Sequence, residues 1–154
     1  MTYAKDICVL HVDDEPDIAE LTAEFLKRED DRFTIETATS AREGLKCLSH
    51  NDFDCVISDY DMPGQNGIEF LKSVRNKGFD LPFVLFTGKG SEEVAGEAIS
   101  AGVTDYLRKK SGVDQYTVLA NRLQNAVQRH RAEKERKRQR DAIETAQEGI
   151  SILS

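Results

Sequence analysis

Residues 7–15 read ICVLHVDDE and residues 55–61 read CVISDYD; in both, a short run of strand formers, apolar almost throughout, ends abruptly in carboxylates. Strands that are apolar at nearly every position are covered on both faces, which is the condition of a parallel sheet sandwiched between helices. Outward from these two, three further runs occur at Phe33–Ala38, Phe83–Phe86 and Val103–Leu107. The segments between them carry apolar or small side chains at helical spacing: Ile18, Leu21, Thr22 and Phe25; Ala41, Leu45 and Leu48; Ile68, Leu71 and Val74; Val94, Ala98 and Ile99. Each stripe is expected to face the sheet. A fifth helix is expected from near Asp114 through Tyr116, Leu119, Ala120, Leu123 and Val127. Five strand–helix repeats predict an α/β fold with a doubly wound parallel sheet, and right-handed crossovers leave it few strand orders.

At 154 residues the chain is one domain with a short appendage, too short for a multidomain enzyme. It is 39% hydrophobic and 32% charged, with a mean hydropathy of -0.52, which predicts a compact core plus a very polar segment. The longest apolar stretches, such as Leu81–Phe86, fall far short of the roughly 20 residues a bilayer requires, and Met1 opens no secretory signal. A soluble, cytoplasmic protein is expected. Cys8, Cys47 and Cys55 form no C-x-x-C pair and have no histidine at metal spacing, so they are predicted to be buried small hydrophobes.

Charge is unevenly spread. Residues 1–128 hold 23 acidic against 14 basic side chains, a net -9, whereas 129–141 hold 3 against 7, a net +4. The acidic body is a poor nucleic-acid binder, since phosphate backbones are gripped by clustered Lys and Arg. Only the basic run could serve as such an arm, and a polar connector is the preferred reading of it. That run contains no Gly or Pro and pairs Glu133 with Lys137, as a solvated extension of the fifth helix would. Continuing the Leu119, Leu123, Ala126 register places His130, Glu133, Lys137 and Arg140 on the seam, which makes a poor coiled coil. Residues 142–154 turn apolar again at Ile143, Ala146, Ile150, Ile152 and Leu153 with nothing to pack against, which predicts the start of a second, truncated domain.

Open parallel sheets bind ligands beyond the carboxyl ends of their strands. Those ends carry Asp13, Asp14 and Glu15; Asp59, Tyr60 and Asp61; Thr87 and Gly88; and Arg108, Lys109 and Lys110. Carboxylates brought about 5 Å apart at an effective dielectric of 20 repel by roughly 3 kcal/mol per pair, so a cation is expected among them. Oxygen ligands without His or Cys favour a hard divalent ion, and few carboxylates with room for water suit Mg²⁺. A hydroxyl at Thr87 and an ammonium at Lys109 fit the handling of a phosphoryl group, with Asp59 as nucleophile.

Asp13-Asp14 after the first strand, Asp59 after the third with Met62-Pro63 and Gly67 close behind, Thr87 after the fourth, and Tyr106 three residues before Lys109 together resemble the receiver domains of two-component response regulators. The resemblance covers about residues 5–128, followed by a charged helical linker at 129–141 and the following domain at 142–154. It implies a flavodoxin-like five-stranded sheet in the order 2-1-3-4-5 with an extended C-terminal helix. It also implies that Asp59 accepts a phosphoryl group from a sensor histidine kinase. Asp14, Asp59 and the backbone carbonyl of Asp61 would hold Mg²⁺ directly, and Asp13 would do so through water. Lys109 would pair with the acceptor carboxylate and then with the phosphoryl group. Thr87 would hydrogen-bond the phosphoryl oxygen, and Tyr106 would act as an aromatic switch. The surface of the fourth helix, fifth strand and fifth helix would be the output face, and a homodimer, through a surface the sequence does not name, is among the partners expected. Such a module is no enzyme beyond loading and unloading its own aspartate. Residues 142–153 resemble the opening of a PAS domain, which implies output to a PAS or kinase module in the same protein.

Two features depart from the family pattern. Lys110 stands where a proline usually follows the lysine, so the loop into the fifth helix has no X-Pro bond. Asp61 and Lys89 occupy the positions beyond Asp59 and Thr87 whose side chains tune dephosphorylation. Rival readings are a haloacid dehalogenase-like phosphatase, from Asp59-x-Asp61, a flavin carrier of the same architecture, and a docking-only pseudo-receiver. The first has its acid pair after the wrong strand, and the second would set Asp13-Asp14-Glu15-Pro16 against a phosphate. The third is opposed by the intact Asp59, Thr87 and Lys109. Elsewhere, His11 is expected to be a satisfied interior side chain, His130 to be solvated, and Gly64 and Gly67 to be turn residues after Pro63.

Overall fold

The computed structural model describes residues 6–88 and 92–153, with side chains as far as residue 146. Lys5 and Lys89, and the side chains of Ile150, Ile152 and Leu153, lie outside the described residues. The element order is β1 (Ile7–Val12), α1 (Pro16–Glu29), β2 (Phe33–Ala38), α2 (Ala41–His50), β3 (Cys55–Ser58), α3 (Gly67–Asn76), β4 (Phe83–Thr87), α4 (Glu92–Ser100), β5 (Asp105–Arg108) and α5 (Asp114–Leu153). All strand pairs are parallel and the order is β2-β1-β3-β4-β5, as the resemblance implies.

Two cores flank the sheet. Alternate strand residues Ile7, Val9, Ile57, Val84 and Phe86 pack with Leu26 of α1 and with Tyr116, Leu119 and Leu123 of α5. The opposite set, including Leu10, Val12, Val56, Phe83 and Leu85, packs with α2, α3 and Ala98 of α4. The period of two along each strand therefore assigns every side chain to one layer. The α1–α5 seam is closed by Phe25 stacked on Tyr116 at 4.7 Å and by hydrogen bonds from Thr117 to Glu29 and from Gln124 to Asp30.

Several expected details differ. β5 begins at Asp105 rather than Val103, because Val103 and Thr104 are still engaged by the Ala98 and Phe83 carbonyls as the chain leaves α4. On α1 the buried residues are Ala19, Thr22 and Leu26, and Leu21 is 44% exposed. The helix is rolled so that Phe25 meets Tyr116, which turns Leu21 outward. Ala98 is the buried residue of α4, Val94 packs half-buried on the same core, and Ile99 is 71% exposed. Cys55 is buried, whereas Cys8 and Cys47 are only half-buried.

α5 is a single helix of 40 residues, about 60 Å at 1.5 Å per residue. Its inward stripe of Tyr116, Leu119, Ala120, Leu123, Ala126 and Val127 ends where the sheet ends. At that point Arg131 bonds the Asp6 carbonyl at 2.8 Å and Asp54 at 3.0 Å. His130 is half-buried with Nε2 3.8 Å from Asp80, not freely solvated as expected. From Ala132 to Ala146 every side chain is exposed, and the close pair on that stretch is Glu135 with Arg138 rather than Glu133 with Lys137. Among the described residues no helix is long and apolar enough to cross a membrane.

Candidate functional site

Register brings the strand ends level. Val12 pairs with Ser58, Ser58 with Leu85, and Leu85 with Tyr106, while the Asp59 amide donates to the Val12 carbonyl and the Lys109 amide to that of Thr87. Asp13, Asp59, Thr87 and Lys109 consequently share one edge.

Asp13 is 1% exposed. Its Oδ1 accepts the Glu15 amide at 2.9 Å, a local turn that launches α1 with Pro16 at its start, and its Oδ2 accepts Lys109 Nζ at 3.2 Å. Asp59 Oδ1 accepts the Tyr60 amide at 2.8 Å, and its Oδ2 lies 3.8 Å from the same Lys109 nitrogen. Lys109 thus bridges two acids and sits closer to Asp13 than to Asp59. Its amine also lies 5.6 Å from the Phe86 ring centroid, a cation–π contact beneath the site. Thr87 is buried, and its hydroxyl faces Asp59 closely enough to help lower the Asp59 pKa.

Carboxylate oxygens of Asp13, Asp14 and Asp59 all come within 4.8 Å of one another. Asp61 and Glu15 line the same cleft, of about 490 Å³, outside that cluster, together with Asp14, Ile18, Met62, Pro63, Gly88 and the site's Asp59, Thr87 and Lys109. Burial raises the Asp59 pKa and the Asp13 charge adds to this, against the pull of Lys109, Thr87 and the Tyr60 amide. A carboxylate whose folded pKa is raised stabilises the fold when protonated, and that contribution is lost as pH rises through the folded pKa. Asp59→Asn should therefore raise the metal-free melting temperature at pH 7. The gain should vanish as pH falls into the carboxylate range, as thermal melts at both pH values would read.

Sequence reasoning placed these acids, Thr87 and Lys109 together, and they are together. Tyr106 is half-buried on the α3–α4 side, its hydroxyl buried without a partner. His11 is interior at 1% exposure but not satisfied, since neither ring nitrogen has a hydrogen-bond partner, and burial lowers its pKa to about 4. Gly67 is not a turn residue like Gly64, whose φ is +80°; it opens α3 against the loop, where a Cβ would meet the Asp59 carbonyl at 2.3 Å. Sequence reasoning also missed Gln115, which organises the loop after Lys109 by accepting the Lys110 amide at 2.9 Å and donating to the Gly112 carbonyl at 2.8 Å. A lone glutamine near a helix start gives no sequence signal.

The family model for the response regulator receiver domain matches residues 9–121. The chain belongs to that family. The receiver is 30% identical over 122 residues to the response regulator SaeR of Staphylococcus aureus (strain USA300), covering 79% of this chain and 52% of SaeR, so it spans about half the length of the curated relatives it matches. Among solved structures it resembles the chemotaxis protein CheY4 of Vibrio cholerae (31% identity, 79% of this chain and 98% of that one, TM-score 0.70). It also resembles the response regulator TrrA of Thermotoga maritima in complex with Mg²⁺-BeF (31%, 76% and 98%, TM-score 0.66). This membership sets aside the phosphatase and flavin-carrier readings. A receiver is a module of two-component signal transduction rather than a metabolic enzyme.

Proposed function

We propose that this receiver is a phosphorylation switch that takes a phosphoryl group from a sensor histidine kinase onto Asp59. The observation that carries the reading is the Lys109 amine held between Asp13 and Asp59, 3.2 and 3.8 Å from their carboxylates, above a buried Thr87 hydroxyl. An Asp59 oxygen forms the new P–O bond as the P–N bond of the donor phosphohistidine breaks, and the imidazole leaves. Lys109 and Thr87 face the charge on the transferred oxygens. Water later attacks phosphorus and returns the carboxylate and inorganic phosphate.

Three convergent carboxylates with no nitrogen or sulfur ligand fit Mg²⁺, which supplies charge neutralisation for the incoming phosphoryl group. Asp14 and Asp59, with the Asp61 carbonyl, would hold it directly, and Asp13, buried and engaged by Lys109, through water. That TrrA forms a complex with Mg²⁺-BeF supports Mg²⁺ as the ion.

Output runs through the α4–β5–α5 face, where Tyr106, Leu107, Arg108, Val118 and Arg122 line a cleft of about 430 Å³, and along α5 through the 129–141 linker to a PAS or kinase module beginning near residue 142. Tyr106, its buried hydroxyl unpartnered, is the switch side chain on that face. Turning such a switch from nearly all off to nearly all on takes about 5.5 kcal/mol of differential stabilisation. The new contacts of a phosphoryl group with Thr87, Lys109 and Mg²⁺ are of that kind.

The test is acetyl phosphate with Mg²⁺, followed by intact mass and peptide mapping. One added phosphoryl group on Asp59 is expected. No gain, or a gain on another residue, would leave a docking-only receiver as the better reading.

A further inference from the structure

One buried group is unused by this scheme. His11 lies on β1 and Asp13 one residue past its end, two residues on, so the alternation that puts Ile7 and Val9 in the layer covered by α1 and α5 carries both toward it, and each is 1% exposed. His11 Nε2 lies 3.9 Å from Asp13 Oδ2, and neither ring nitrogen has a hydrogen-bond partner. The Thr22 hydroxyl, on the buried side of α1, is likewise without one. An imidazole left unpaired in a core is destabilising, and an apolar strand residue would avoid that penalty.

The two oxygens of Asp13 are held differently. Oδ1 is fixed by the Glu15 amide of its own loop, whereas Oδ2 depends on Lys109, which is also 3.8 Å from Asp59. A phosphoryl group on Asp59 adds negative charge at the far side of that bridge and draws the ammonium toward it. Asp13 is 1% exposed and keeps only the Glu15 amide as a protein donor once that ammonium is drawn away, and a buried carboxylate short of a partner is disfavoured.

We propose that His11 is a positioning residue for Asp13, its neutral imidazole donating Nε2–H to Oδ2 when Lys109 moves to the phosphoryl group. The proposal rests on the phosphoacceptor reading above. A shift of about 1 Å brings 3.9 Å into hydrogen-bond range, and no proton is transferred. His11 thereby keeps the Asp13 carboxylate aimed at the cation site in the loaded state, while Lys109 does so in the free state.

The experiment uses the whole chain, Mg²⁺ alone, and Mg²⁺ with beryllofluoride as a stable phosphoryl mimic. In wild-type protein, ring ¹⁵N spectra should show the Nε2–H tautomer, with that proton moving downfield on beryllofluoride binding. By calorimetry, His11→Val should bind Mg²⁺ alone as wild type does but lose about tenfold in affinity for beryllofluoride, the effect of one buried hydrogen bond to a charge. His11→Gln, which keeps a donor, should come back to within about threefold of wild type. Three results overturn the role of His11: equal losses for Mg²⁺ and beryllofluoride in His11→Val, no loss in either, or a stationary Nε2–H signal while the Thr87 and Lys109 amides shift. Site amides that ignore beryllofluoride in wild-type protein overturn the phosphoacceptor reading itself, and this proposal with it.

Discussion

Asp59→Asn is expected to take up no phosphoryl group from acetyl phosphate and Mg²⁺, and Lys109→Ala to take it up about 10²–10³-fold more slowly than wild type. The first follows from nucleophilicity, because an amide has no carboxylate oxygen to form the acyl phosphate. The second follows from the place of the amine, 3.2 Å from Asp13 and 3.8 Å from Asp59, where no other described cation lines the cleft. Its loss leaves three convergent carboxylates to repel one another and the incoming phosphoryl oxygens. Lys109→Ala also strips Asp13 of its ion pair, so its melting temperature should fall without metal and recover in part with Mg²⁺, which offsets the same charge. Time-resolved intact mass, with melts in both conditions, reads both outcomes. Loading of Lys109→Ala at the wild-type rate would remove the lysine from the chemistry.

Gly67→Ala should be severely destabilising, by about 3 kcal/mol or more, or about 6–12 °C in melting temperature. A methyl group there would stand 2.3 Å from the Asp59 carbonyl oxygen, 2.9 Å from Tyr60 Cα and 2.8 Å from Leu85 Cδ1. The first two are backbone atoms of the loop that carries the acceptor, and that loop is further tied by the Gly67 amide donating to the Tyr60 carbonyl at 2.8 Å. Relief would require α3 to move off the sheet or Asp59 to move out of the site. Gly64→Ala is the control. It meets no atom within 4 Å, so only the strain of φ +80° remains, about 1–2 kcal/mol. Denaturant melts of the two variants would separate them, and equal losses would refute the steric account.

Strand bounds are legible in the middle of the sheet and at one of its edges: β1, β2 and β3 have the bounds their runs predict, although Thr34, Glu36 and Thr37 of edge strand β2 are exposed. β5, at the other edge and only half-buried, does not match its run, because Val103 belongs to the turn leaving α4. The inward faces of α1 and α4 were misread at Leu21 and Ile99, since amphipathic spacing fixes a stripe but not the roll imposed by a neighbour such as Tyr116. In the site, residue types following each strand located the acids, the hydroxyl and the amine. The preference of Lys109 for Asp13 was not legible, because β1 and β5 never pair and the side-chain reach depends on three intervening registers. The unsatisfied state of His11 depends on what α1 presents to it, which strand periodicity does not encode.

The one-piece α5 carries a displacement at the sheet to its far end. Arg131 pins the helix beside β1 and β3, and the 22 residues from Ala132 to Leu153 reach about 33 Å beyond that fulcrum. A tilt of about 5° at the pinned end swings the tip by about 3 Å, over half the pitch of a helical turn. A displacement of about 2 Å at Tyr116, about 22 Å before that pin, would therefore reach the far end as a stroke of about 3 Å, delivered by stiffness alone.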